Sequence, residues 1–179
     1  DWTSIDDPWS FRHKDHFAPL LKGLKNIHNI HHKRLETPDC TLVGSGITDS
    51  PELPIGMELL CYTLKERKAM VKHYQKQRDK LNRLCKYPKG ALLLISHNMP
   101  YGTTFDQVCN PKSLAHGMHV GSLLARELIQ MRKPLACIGG HMHEHYGKEQ
   151  LGRTTVICSG YGAKKYILLT VHNKHIQSL

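Results

Sequence analysis

Apolar positions in this chain fall into short blocks separated by polar loops, and their spacing switches between helical and extended periods. Phe17, Leu20, Leu21 and Leu24 recur at three- and four-residue steps and predict one helix in the otherwise polar stretch 1–38. Residues 27–30 read as a brief strand, and 41–43 as a second one entering Gly44-Ser45-Gly46; Pro51 and Pro54 mark a loop after it. The longest periodic segment is 57–86, free of Gly and Pro, with Leu60, Leu64, Val71, Tyr74 and Leu81 on one face. Unbroken, it predicts a helix about 45 Å long at roughly 1.5 Å per residue.

Residues 91–95 form an unbroken apolar run after Gly90, the pattern of a strand buried on both faces. A helix is predicted over 120–131, ended by Pro134, and a short strand over 135–138 stops at Gly139-Gly140. Residues 154–157 and 165–171 complete the set as two strands around a hairpin turn at Ser159-Gly160-Tyr161-Gly162. Strands alternating with helices and closing in a hairpin indicate an α/β layered fold.

Composition narrows the picture. A chain of 179 residues, 40% hydrophobic, predicts a single domain over 1–179, with an irregular part over 1–56, a long basic helix over 57–89 and a motif-bearing half over 91–171. Lys and Arg number 25 against 15 Asp and Glu, a net charge of +10, which favours phosphate-rich partners. Much of the excess sits on the outer face of the long helix: Lys65, Arg67, Lys68, Lys72, Lys76, Arg78, Lys80 and Arg83. Such a face is either a solvated surface or a contact for phosphate or RNA.

The 6 cysteines are scattered without a Cys-x-x-Cys pair, so reduced thiols in an intracellular compartment, cytoplasm or mitochondrial matrix, are expected. No run approaches the roughly 20 apolar residues of a membrane helix, and none serves as a signal peptide, so no membrane partner is expected. The chain opens on Asp1 rather than methionine, which predicts further sequence upstream.

Candidate chemistry follows the strand ends, where open α/β sheets place ligands. Ser96-His97-Asn98-Met99-Pro100-Tyr101-Gly102-Thr103 puts an imidazole at a strand tip before a tight turn. Gly139-Gly140-His141-Met142-His143-Glu144 sets two histidines two apart after a buried strand, and such nitrogens suit zinc, iron or manganese.

Taken in order, Ser-His-x-x-Pro-x-Gly-Thr from Ser96, His119-Val120-Gly121-Ser122 opening a helix, Lys133-Pro134-Leu135 before a strand, Gly140-His141-Met142-His143-Glu144 and the Gly-x-Thr of Gly152 resemble the C-terminal half of calcineurin-like metallophosphoesterases. The resemblance runs over residues 91–162, and Thr41-Leu42-Val43-Gly44-Ser45-Gly46 extends it weakly upstream. It implies a layered metallophosphoesterase-like β-sandwich flanked by helices, here without the family's N-terminal strands. By motif position, His97 and His141 would share one metal and His143 would serve a second. Two such divalent ions (Mn, Fe or Zn) would polarise a phosphoryl group and generate a hydroxide nucleophile.

The family's Asp-x-His, Gly-Asp and Gly-Asn-x-Asp motifs are not found, although Asp1 stands where the last residue of Gly-Asn-x-Asp would fall. Met99 replaces a usual proline, and Cys158-Ser159 a common Asn-Pro pair. Neutral imidazoles alone do not offset the repulsion of two dications, so the site holds two ions if completed, and otherwise a single zinc or none. Asp106 and Glu144 are the nearest carboxylates in sequence and fit a supporting role that orients a histidine.

Three functions remain open. One is metal-dependent hydrolysis of a phosphomonoester or phosphodiester, given the upstream motifs. Another is an inactive homologue serving as a basic structural subunit of a ribonucleoprotein such as a mitochondrial ribosome. The third is a protein-interaction module working through the apolar helix stripe. In each case a partner, or the missing N-terminal half, is expected to cover a sheet edge near 92–95.

Overall fold

The computed structural model describes residues 17–48, 50–162, 165–172 and 175–178. After a single helical turn, α1 (Phe17–Leu20), the chain builds a mixed sheet from β1 (Arg34–Glu36), β2 (Cys40–Ser45), β3 (Ala91–Ser96), β4 (Ala136–Gly139), β5 (Gly147–Leu151) and β6 (Thr154–Cys158). Their spatial order is β1-β2-β3-β4-β6-β5. The strands β2, β3, β4 and β6 run parallel, and the two edge strands are antiparallel. Parallel neighbours need crossovers. α2 (Leu64–Leu84) links β2 to β3, and α3 (Leu123–Arg132) links β3 to β4. A separate ribbon of β7 (Thr170–His172) and β8 (His175–Ser178) follows.

Successive strand residues point to opposite faces, so the apolar run of β3 serves two cores. Leu92 and Leu94 lie beneath the helices with Val43, Cys137 and Val156, packed against Leu81, Cys85, Leu128 and Ile129. Ala91 and Leu93 face the other way with Cys40, Ala136 and Ile157, meeting Ile167, Leu169, Val171 and Ile176. The result is the expected α/β layering, a six-stranded sheet with helices on one face. Among the described residues the second layer of a sandwich is represented by the β7–β8 ribbon.

Several expectations are corrected. The long helix does not start at residue 57: Gly56–Cys61 is a 3-10 turn, and Tyr62 and Thr63 are extended. Thr63 caps α2 by accepting from the Glu66 amide (3.3 Å), while the Glu66 carboxylate accepts from the Thr63 amide (2.8 Å). This reciprocal cap fixes the start, and the 21 residues of α2 span about 32 Å. The apolar stripe is shifted as well. Leu60 and Leu64 are 77% and 73% exposed, Val71 is exposed, and the face turned inward is Tyr74, Gln77 and Leu81.

The irregular part expected over 1–56 holds two strands, and residues 27–30 are not one of them. Only His31 bridges to Gly44, and pairing begins at Arg34. Arg34 is anchored there because its guanidinium donates to the carbonyls of Leu84 (3.1 Å) and Tyr87 (2.8 Å), at and just beyond the end of α2. The antiparallel partner of β6 is β5 upstream rather than residues 165–171. Gly152 opens the two-residue turn between them with φ +62°, a conformation that favours glycine. β3 is paired on both sides, so the sheet edges are β1 and β5 instead of 92–95. Both edges are short, and β5 carries Lys148 and Glu149, features that discourage further strand pairing.

Candidate functional site

The loop leaving β3 is built around a buried carboxylate. Asp106, with no exposed surface, accepts from the amides of Gly102 (3.0 Å), Thr103 (2.8 Å) and Gly121 (3.0 Å) and lies 2.8 Å from His119 Nδ1. It thereby gathers the turn after His97 and the strand-like entry to α3. The glycine at 121 is required by this packing: a Cβ there would sit 2.6 Å from the Met99 carbonyl and 2.7 Å from Asp106 Oδ2. Asn98, 2% exposed, donates to the carbonyls of Ile47 (3.1 Å) and Thr48 (2.9 Å), locking the β3 loop to the β2 loop.

Ser122 caps α3 by accepting from the Ala125 amide (3.0 Å), and the Glu52 carboxylate accepts from Ser122 Oγ and the Leu123 amide (2.7 Å). A carboxylate there complements the positive end of the helix. Burial pushes the Glu52 carboxyl above its ordinary range, against the pull of these hydrogen bonds.

The loop leaving β4 is more open. His141 is exposed and holds φ +67°, a left-handed conformation unusual for a residue with a side chain. His143 lies exposed with its ring centroid 5.0 Å from that of Tyr161. Glu144 turns to the neighbouring loop, where Oε1 accepts from the Cys109 amide (2.8 Å).

Because β3 and β4 are adjacent and parallel, their carboxyl ends present His97 and His141 side by side. His97 Nε2 and His141 Nδ1 are 2.9 Å apart, with ring centroids 4.8 Å apart. Partial burial of both rings lowers their pKa below the ordinary 6.5, and the neighbouring histidines add to it. Neutral rings are the form that ligates metal.

The pair fits an ion: two nitrogens on one tetrahedral zinc at roughly 2.0–2.1 Å stand about 3.3 Å apart, so an opening of about 0.4 Å converts the contact into a ligand pair. His97 and His141 thus meet, whereas His143 is set toward Tyr161. Asp106 binds His119 rather than any of the three.

A pocket of about 440 Å³ ends at His97. It runs between residues 27–31 and the carboxyl ends of β2 and β3, lined by His28, His31, Ser45, Ser96 and His97 among others. His31 Nδ1 accepts from the Gly46 amide (2.8 Å), which fixes that wall. The pocket lies where parallel sheets place ligands.

Sequence reasoning missed three groups here. Glu52 gave no signal because it lies in a proline-rich loop distant from α3 in sequence. His31 stands in a polar stretch with no motif around it, yet it lines the pocket. Cys109 and His145 meet only in three dimensions, with Sγ and Nε2 3.8 Å apart.

No protein-family model and no curated protein matches the chain. Solved structures do: one crystal structure is 19% identical with a TM-score of 0.49, over 80% of this chain and 49% of that one. The crystal structure of TT1561 of Thermus thermophilus is 16% identical with a TM-score of 0.39, over 80% of this chain and 54% of that one. The chain spans about half the length of these structures.

Proposed function

We propose that this chain carries the histidine side of a metal-dependent phosphoesterase site, acting on a phosphomonoester or phosphodiester. The observation that carries the reading is the 2.9 Å approach of His97 Nε2 to His141 Nδ1 at the ends of adjacent parallel strands. These two rings would hold one divalent ion, manganese, iron or zinc, and His143 would face a second. When bound, such an ion supplies Lewis-acid polarisation of a phosphoryl oxygen.

The chain's own contribution is positional. Asp106 and Asn98 fix the β3 loop that carries His97 at the edge of the pocket, and partial burial shifts both rings toward the uncharged form. An anion to balance two closely spaced dications would come from outside the described residues or from the phosphate itself.

The test is manganese-dependent hydrolysis of p-nitrophenyl phosphate and its bis-ester by the full chain, with any upstream segment of its gene product. His141→Ala should abolish the activity. A complete protein that binds no metal, or a His141→Ala variant as active as its parent, contradicts the reading.

A second reading rests on a different observation. Lys65, Lys68, Lys72, Lys76, Lys80 and Arg83 are all exposed. Their three- and four-residue steps keep them on one side of α2, opposite Tyr74, Gln77 and Leu81. Arg67 and Arg78 are instead engaged within the protein, with the Tyr62 carbonyl (3.0 Å) and Asp79 (3.1 Å). A basic ridge about 27 Å long suits the phosphates of RNA in a ribonucleoprotein. Binding to single-stranded RNA should weaken steeply with salt and disappear when Lys72, Lys76 and Lys80 become Glu. Salt-independent binding, or none, removes this role.

A further inference from the structure

Two excursions of the chain meet through Cys109 and His145. One spans residues 107–119 and is closed on itself: Gln107 bridges to His119, the Val108 amide donates to the Met118 carbonyl (2.9 Å), and the Gly117 amide donates to the Val108 carbonyl (2.8 Å). It carries Cys109. The other is the loop after β4, which carries Glu144 and His145.

Cys109, Glu144 and His145 bring one ligand atom each within 4.8 Å of one another, which no other His, Cys, Asp or Glu group of three among the described residues does. Cys109 Sγ is 3.8 Å from His145 Nε2, and the Gln107 carbonyl oxygen is 2.7 Å from the same nitrogen. The Cys109 amide already holds Glu144 Oε1 at 2.8 Å, which keeps the carboxylate close to the thiol.

We propose that Cys109, Glu144 and His145 form a zinc site separate from the His97–His141 pair. Charge favours it. A thiolate and a carboxylate together neutralise a dication, which the imidazole pair cannot do. Ligand softness points to zinc, because sulfur with imidazole selects it over manganese or magnesium.

Geometry agrees: on a tetrahedral zinc, with Zn–S of about 2.3 Å and Zn–N of about 2.0–2.1 Å, the sulfur and nitrogen stand about 3.6 Å apart. The Gln107 carbonyl or a solvent molecule takes the fourth position. On binding, the thiol proton leaves to solvent, and the His145 ring carries its remaining proton on Nδ1. The ion would staple the 107–119 excursion to the loop bearing His141 and His143, holding that otherwise exposed loop in place.

Cobalt(II) titrated into the full chain tests this, because only a thiolate ligand produces sulfur-to-cobalt charge-transfer absorption. One equivalent should develop that absorption, and zinc should displace it. Cys109→Ala should abolish it, while Cys61→Ala, at the other exposed cysteine, should leave it unchanged. Absence of the absorption in the parent, or its survival in Cys109→Ala, overturns the site. The readout is blind to histidine-only binding, so its outcome is independent of the phosphoesterase proposal.

Discussion

The two loops that present His97 and His141 are built in opposite ways. The β3 loop is wired from within: Met99, Pro100, Thr103 and Asp106 are buried, and one carboxylate collects backbone amides from both ends of the excursion. In the β4 loop His141, His143 and Glu144 are exposed, and His141 sits in a left-handed conformation. One histidine is therefore fixed by a polar core, while the other depends on its loop. Sites built on supported elements hold geometry better than sites on loops, and the contrast makes separate predictions for the two.

The largest effect is expected at the hub. Asp106→Ala leaves buried amides and the His119 ring without their acceptor and should destabilise the fold by about 3–5 kcal/mol, read by urea denaturation. A loss below about 1 kcal/mol would show that the β3 loop is not held by this carboxylate.

Gly121→Ala comes next. Its methyl group meets backbone and carboxylate atoms that cannot swing away, so about 1–3 kcal/mol of destabilisation is expected in the same assay. An unperturbed variant would mean that the loop and the start of α3 separate more easily than the contacts imply.

The β4 loop should respond differently. His141→Gly relieves a left-handed conformation that costs an ordinary residue about 1–2 kcal/mol, which offsets the added freedom of the unfolded glycine chain. Stability should change by less than about 1 kcal/mol, even though the proposed ligand pair is lost. A large loss would show that His141 also supports the fold.

The smallest effect concerns pH. His97 and His141 have pKa values lowered from 6.5 by burial, so between those values and 6.5 the unfolded chain binds more protons than the folded one. Their contribution to stability is full above 6.5 and is lost as pH falls through that window. Imidazole NMR titration of the metal-free protein should give both midpoints below 6.5; midpoints at or above it contradict the burial.

Much of the sheet was legible in the sequence. The apolar run 91–95 and the short blocks at 41–43 and 135–138, each followed by glycines or a polar turn, read as strands, and all three are strands of the sheet. β5 was not legible, because Gly-Lys-Glu-Gln-Leu is an edge strand with polar residues on its open face. The start of α2 escaped because periodicity continues through Leu60 and Leu64, while the decision is made by one local cap at Thr63.

At the site, the approach of His97 to His141 was legible from strand ends and glycine spacing, whereas the setting of His143 against Tyr161 was not. Asp106 was legible only as a nearby carboxylate, since its role depends on amides contributed by residues 102–121 folding back on it. The Cys109, Glu144 and His145 cluster left no pattern, because its members lie 35 and 36 residues apart in the contacts that define it. Residues 1–16, Asp1 among them, lie outside the described residues.

The central claim is that His97 and His141 act as one ligand pair. Substoichiometric manganese added to a Cys109→Ala chain, followed by side-chain imidazole NMR, tests it directly. Selective broadening of the His97 and His141 resonances is expected, abolished for His97 when His141 is replaced by alanine. Resonances that stay sharp, or broadening spread evenly over the histidines of the chain, would contradict it.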